Sequence, residues 1–168
     1  KMPENFNNVC LVNNSIILVK TKWIARADSD DINMANRFEK QIEYAIDNYD
    51  VIGCNILEVD RTNKYPNLEK KMPSSDSDIK NYLKYRNPIN HMTVFYKTDL
   101  IKKVGGYPNI YKREDYGLWI KLTNYGATFY NINETLVKVD AGDSLYKRRR
   151  GFKNIIAEFD LQFLSYKS

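Results

Sequence analysis

Long apolar runs are missing from this sequence, and cysteine and histidine are nearly so. Its 168 residues include two cysteines, Cys10 and Cys54, and one histidine, His91. Two thiols so far apart exclude a disulfide scaffold, and with one imidazole they fall short of the ligand set of a structural zinc. No stretch approaches the ~20 apolar residues of a membrane span, and mean hydropathy is −0.58. The opening KMPENFNNVC has no apolar core of the kind a secretory signal needs, so the expected location is cytoplasmic. Aromatic residues, by contrast, are plentiful: thirteen tyrosines and seven phenylalanines supply a core and argue against disorder. The length suits one ordinary domain. A first residue Lys1 in place of methionine predicts a chain cut from something longer.

The formal charge is +5, but its placement matters more than its size. KRRR at Lys147–Arg150 is the only dense cationic cluster, whereas acids gather in DSDD (Asp28–Asp31) and SSDSD (Ser74–Asp78). A basic patch beside an acidic pocket suits a ligand whose phosphates are held through a cation. A nucleic-acid groove needs a continuous stripe of positive charge, and no nucleic-acid partner is expected. Taken alone, KRRR also reads as a solvated loop.

Hydrophobic spacing predicts alternating helices and strands, the pattern of an α/β domain. Helices are expected over Val9–Val19, Asn36–Asn48, Asp76–Tyr85, Asp99–Val104 and Glu114–Tyr125, with a closing amphipathic helix over Phe152–Tyr166. In the second of these, Phe38, Ile42, Ala45, Ile46 and Tyr49 share one face. Strands are expected over Lys22–Ala27 (buried), Asp50–Val59, His91–Tyr96, Thr128–Ile132 and Leu136–Val139, with Asp60–Pro73 as a surface loop. Gly53 marks a bulge or a close backbone approach, and Gly126 a helix stop.

Chemistry concentrates at two acidic sites. Asp28, Asp30 and Asp31 follow directly on a strand, and ligands bind at the carboxyl ends of strands in α/β sheets. Crowded carboxylates repel unless a cation or water screens them, and hard ions such as Mg²⁺ or Mn²⁺ take one or two carboxylates plus phosphates and waters. An acidic turn capping the next helix is the plainer alternative. Glu114 and Asp115 open a helix, where the dipole favours acids by ~0.3–1 kcal/mol. The same position suits a general base held beside a hydroxyl.

Together, IARADSDDINMANRFEKQIEY, NPINHMTVFYKTDLIKKVGGY and REDYGLWIKLTNYGATFYNINETLVKV resemble the family 2 glycosyltransferases of the GT-A fold, above all the bacterial enzymes of capsule, exopolysaccharide and O-antigen synthesis. The resemblance covers most of residues 8–150. It implies a GT-A fold, a Rossmann-like mixed sheet flanked by helices, over residues 1–150, followed by a helical tail over 151–168. It implies an inverting hexosyltransferase that moves a sugar from a nucleotide-sugar, expected to be a UDP-sugar, to a hydroxyl of a glycan or lipid-linked acceptor. Asp28 and Asp30 match the Asp-x-Asp motif, the first near the donor ribose and the last holding Mn²⁺ or Mg²⁺, with Asp31 supporting the loop. Asp115 matches the acceptor-activating base and Glu114 an acceptor contact, while His91 and Trp119 belong to the substrate side. Arg148, Arg149 and Arg150 fall where the family has a mobile basic loop over the donor diphosphate.

The sequence departs from that family at its start. The opening strand and the βα units that cradle the nucleoside have no counterpart, so about two such units, at ~30 residues for a βαβ, are absent. The strand bearing Asp28 is therefore expected to lie at an exposed edge, open to self-association. A non-catalytic glycan- or partner-binding remnant is the alternative function. A basic tail is expected to touch the inner face of the membrane, where lipid-linked acceptors sit.

Overall fold

The computed structural model describes residues 4–46, 49–60, 62, 64, 66–110 and 112–140. The expected tail helix and Arg148–Arg150 lie outside them. Helix α1 (Glu4–Leu18) starts earlier than its spacing suggests, buries Val9 and Ile16, and leaves Leu11, Ile17 and Leu18 exposed. Strand β1 (Trp23–Ala25) is shorter than expected and only half-buried, because it lies at an edge of the sheet. After the DSDD turn, where Asp31 N donates to Asp28 O at 3.2 Å, a two-residue strand β2 (Ile32–Asn33) pairs with the last strand. Two residues are too few to leave a periodic signal, so the sequence does not announce it.

Helix α2 (Arg37–Ile46) corrects the reading of its apolar face. Phe38, Ile42 and Ile46 are 42%, 49% and 73% exposed, while Arg37 and Gln41 are fully buried. The inward side docks by hydrogen bonds: Gln41 Nε2 donates to Thr93 O at 2.7 Å and Ile52 O at 3.2 Å. Of the predicted stripe only Ala45 and Tyr49 pack against the sheet.

Among the described residues, strand β3 (Val51–Val59) is the centre of a six-stranded sheet whose order runs β1, β5 (Phe95–Lys97), β3, β6 (Phe129–Asp140), β2, with β4 (Leu68–Lys70) also on β3. The expected loop 60–73 thus contains a strand; its three residues are all exposed and are held by backbone pairing with β3 and by Thr135 Oγ1, which donates to Glu69 Oε1 at 2.7 Å. Among the described residues only the pairing of β3 with β6 is parallel. β6 merges the two strands expected at 128–139, with an irregular register around Asn55 absorbing the polar Asn133–Glu134 step. Both faces of β3 are covered. Val51 joins a cluster with Ile79, Tyr96, Trp119 and Phe129, whereas Ile52, Cys54 and Ile56 join Phe95, Ile132 and Val137 on the other side. This explains why its first six residues are all buried rather than alternately exposed.

The remaining elements follow their local chemistry. Helix α3 (Asp76–Leu83) is capped by Ser75, whose Oγ accepts from Asp78 N at 3.2 Å. The expected strand at His91–Tyr96 begins instead as a 3₁₀ turn, His91–Thr93, because Thr93 N and Thr93 Oγ1 both bond back to Asn90 O; strand β5 is Phe95–Lys97. Helix α4 (Thr98–Lys103) ends at Gly105 and Gly106, with φ of +73° and +67°. Helix α5 (Glu114–Asn124) buries Leu118, Trp119 and Leu122 as its pattern predicts, and Gly126 follows at φ +86°. At Gly53, a Cβ would overlap the side-chain oxygen of buried Asn131 and meet Ile89 Cγ2 at 3.1 Å, the close approach anticipated there. The edge position of β1 also matches expectation: among the described residues it pairs with β5 alone.

Candidate active site

Three segments converge at one end of the sheet. The first leaves β1, where the Arg26 backbone is held on both sides: Arg26 N donates to Val94 O at 2.9 Å, and Arg26 O accepts from Arg37 Nη2 at 2.8 Å. Arg37 also bonds Gln41 Oε1 at 3.1 Å and the Asn33 side chain. A buried guanidinium of this kind spans the DSDD turn from beneath and fixes its two ends. Burial lowers the Arg37 pKa from its ordinary value, and Asp31 and Asp28 are among the groups that oppose the shift. Arg26 Nε lies 3.0 Å from Asp28 Oδ1.

The turn carries the electrostatic stress anticipated for crowded acids. The Asp31 carboxyl is pushed up to about 6, first by burial and then by Asp28 and Asp30. A divalent cation would relieve that crowding. Among the described residues no three His, Cys, Asp or Glu side chains form a preassembled metal site. One or two carboxylates, Asp28 and Asp30, could hold a cation whose shell is completed by phosphates and water.

The second segment is the 3₁₀ turn with His91. Its Nε2 lies 2.9 Å from Tyr107 Oη, which lies 3.2 Å from Tyr96 Oη. The imidazole is pushed down to about 4, chiefly by burial, with Arg26 adding to the shift and Asp115 and Asp28 opposing it. His91 is therefore neutral near pH 7 and sits within the field of both acidic sites. Burial likewise raises the Tyr107 hydroxyl well above its usual value.

The third segment is the first turn of α5. Glu114 is raised, first by burial, with the Asp115 charge adding to the shift, and its Oε2 is buried without a hydrogen-bond partner. Asp115 Oδ2 accepts from Asn87 Nδ2 at 2.6 Å. Arg26, His91, Tyr107 and Glu114 line one cavity of about 340 Å³, and Val9, Leu11 and Val12 of α1 supply its apolar wall. Trp119 is not on that wall. It is fully buried in the core, edge-on to His91 with ring centroids 6.2 Å apart.

Of the residues singled out in the sequence, His91 and Glu114 line the cavity, whereas Asp28, paired with its Arg26, and Asp115 stand beside its wall and Trp119 lies behind it. Sequence reading missed Arg26, Arg37, Asn87 and Tyr107. All four lie within or beside the quoted blocks, but nothing local separates them from ordinary surface residues.

A mixed sheet flanked by helices, with an acidic turn after its edge strand, is an α/β fold of the GT-A type. Residues 10–114 match the family model described as glycosyl transferase family 2, and the chain belongs to that family. It is similar to an amylovoran biosynthesis glycosyltransferase of Erwinia amylovora, with 36% identity over 140 residues, 82% of this chain and 52% of that protein. It is also similar to the UDP-Gal:alpha-D-GlcNAc-diphosphoundecaprenol beta-1,3-galactosyltransferase of Escherichia coli, with 39% identity over 147 residues, 86% of this chain and 53% of that protein. An O-antigen biosynthesis glycosyltransferase of Escherichia coli is 32% identical over 114 residues, covering 67% of this chain and 44% of its own length. The chain spans about half the length of the curated relatives it matches. Among the described residues no helix is long and apolar enough to cross a membrane.

Proposed function

We propose that this chain carries the acceptor-activating and metal-binding part of an inverting glycosyltransferase of surface-polysaccharide synthesis. Its donor is a UDP-sugar and its acceptor a hydroxyl of a lipid-linked glycan; the relative named for UDP-Gal and a diphosphoundecaprenol acceptor supports both. The observation that carries the reading is geometric: Arg26, His91 and Glu114 line one cavity, Arg26 is paired with Asp28 at 3.0 Å, and Asp115 follows Glu114 on the same helical turn. The two acidic segments therefore both border that cavity.

In this reading Asp115 takes the proton of the acceptor hydroxyl as its oxygen attacks the anomeric carbon, opposite the leaving diphosphate. Glu114 offers its unpartnered oxygen to an acceptor hydroxyl, and neutral His91 hydrogen-bonds without adding charge. Arg26 faces the charge that develops on the departing oxygen. Asp30 and Asp28 would hold Mn²⁺ or Mg²⁺, which when bound offsets the diphosphate charge. Arg148, Arg149 and Arg150 supply further cations to that diphosphate, and the basic segment contacts the anionic inner leaflet where the acceptor lies. The outer edge of β1, which has no strand partner among the described residues, and the exposed face of α2 favour self-association.

Calorimetry with UDP and Mn²⁺ on the full natural polypeptide, alongside release of UDP from UDP-galactose with a synthetic GlcNAc-diphosphate lipid, tests the division of labour. Asp115→Asn is expected to keep nucleotide affinity and lose turnover by ~10²–10⁴, and Asp30→Ala to weaken Mn²⁺-dependent UDP binding. Equal loss of UDP binding in both variants would refute it. Glycan binding with no nucleotide binding would favour the non-catalytic remnant.

A further inference from the structure

Between α3 and β5, the stretch Asn87–Thr93 is tied down along its length, and the Asn87 side chain at its start ends on the helix-borne acid Asp115. Asn90 Nδ2 donates to Cys54 O at 3.1 Å, and Asn131 Nδ2 donates to Pro88 O at 3.0 Å. Thr93 Oγ1 donates to Asn90 O at 2.8 Å and accepts from Cys54 N at 3.2 Å. Asn90, Thr93 and Asn131 are all buried. This platform therefore does not shift without breaking buried hydrogen bonds.

Asn87 stands at its start with its amide oriented. Asn87 Oδ1 accepts from Ile89 N at 3.2 Å, so the opposite end of the amide, Nδ2, is the one that donates to Asp115 Oδ2 at 2.6 Å. A flipped amide would oppose oxygen to carboxylate and lose both bonds. A carboxylate on the first turn of a helix can otherwise rotate about its last torsion, presenting either oxygen in several directions. The charge-assisted bond to Asn87 removes that freedom and leaves Oδ1 in one orientation.

We propose that Asn87 is a positioning residue for Asp115, holding one carboxylate oxygen so that the other meets the acceptor hydroxyl in a fixed geometry. The proposal rests on the reading of Asp115 as the base. A misplacement on the order of 1 Å at a reacting group can cost ~10²-fold in rate, so the anchor acts on turnover rather than on binding.

The test uses the full natural polypeptide with UDP-galactose and a synthetic GlcNAc-diphosphate lipid, and compares Asn87→Ala, Asn87→Asp and Asp115→Asn. Asn87→Asp keeps the size but replaces the donor by a second carboxylate. Both Asn87 variants are expected to lower kcat by ~10- to 100-fold with both KM values within about twofold of wild type. A loss shared by kcat and both KM values, or one that tracks a fall in melting temperature, assigns Asn87 a merely structural role and overturns the proposal. Inactive Asp115→Asn beside fully active Asn87 variants also overturns it while the base reading survives. An active Asp115→Asn removes both. A crystal structure of Asn87→Ala gives a readout independent of substrate: the Asp115 carboxylate is expected in a new or split rotamer, and a single unchanged position overturns the proposal.

Discussion

His91 offers a quantitative check on the electrostatics of the pocket. Its imidazole is pushed from 6.5 to about 4, mainly by burial. Unfolding exposes the ring to water, so between those two values the unfolded chain binds a proton that the folded protein refuses. Stability is therefore complete above about pH 6.5 and falls as the pH drops toward 4. Each pH unit in that window is worth about 1.4 kcal/mol, so by pH 5 the loss attributable to His91 is about 2 kcal/mol. Against a typical total of about 5–15 kcal/mol this is measurable. Urea unfolding at pH 7 and pH 5, for wild type and His91→Gln, isolates the effect because the carboxylates that titrate in the same window are common to both proteins. The wild type is expected to lose about 2 kcal/mol more than the variant over that interval. An NMR titration of the ring should show no protonation down to pH 5. Parallel stability profiles, or a ring that titrates near its ordinary value, would refute the claim that the pocket keeps His91 neutral.

Four further outcomes are expected. Gly53→Ala should destabilise by about 1–3 kcal/mol, read from the urea midpoint, because its Cβ would overlap the Asn131 side chain; an unchanged midpoint would show that Asn131 yields freely. Arg37→Ala should cost about 3–5 kcal/mol, because it strands the buried Gln41 and loosens the DSDD turn; a loss below about 1 kcal/mol, the scale of a surface pair, would contradict that role. Asp31→Asn should raise the melting temperature at pH 7 and leave it unchanged near pH 4, since its carboxyl is strained only when ionised; the opposite pH dependence would mean that the charge is stabilising. The 168-residue chain produced alone should sediment above its monomer mass of 19.8 kDa, and Ile42→Lys with Ile46→Glu should return it to monomer. A monomeric wild-type chain would remove that expectation.

The parts of the fold that were legible are those whose signal is local. Ser75 as a cap, Gly126 after a helix and the inward Leu118, Trp119 and Leu122 each depend on neighbours within a turn or two. Helix α2 shows where such reading stops. Its spacing identifies an apolar stripe but not what faces it, and the side that docks is the polar one, through Arg37 and Gln41. The same limit hid the short β2 and β4, which exist only because β6 and β3 offer them backbone partners.

By itself, the sequence determined the class of this protein and its two acidic sites, because motif chemistry and helix and turn signals are written over short spans of chain. Tertiary structure alone decided that Glu114 and the Asp28-paired Arg26 share a cavity with His91, that Trp119 stands behind that cavity rather than in it, and that Asn87 grips Asp115. These facts depend on contacts between residues far apart in the chain, and on burial, which no local pattern encodes.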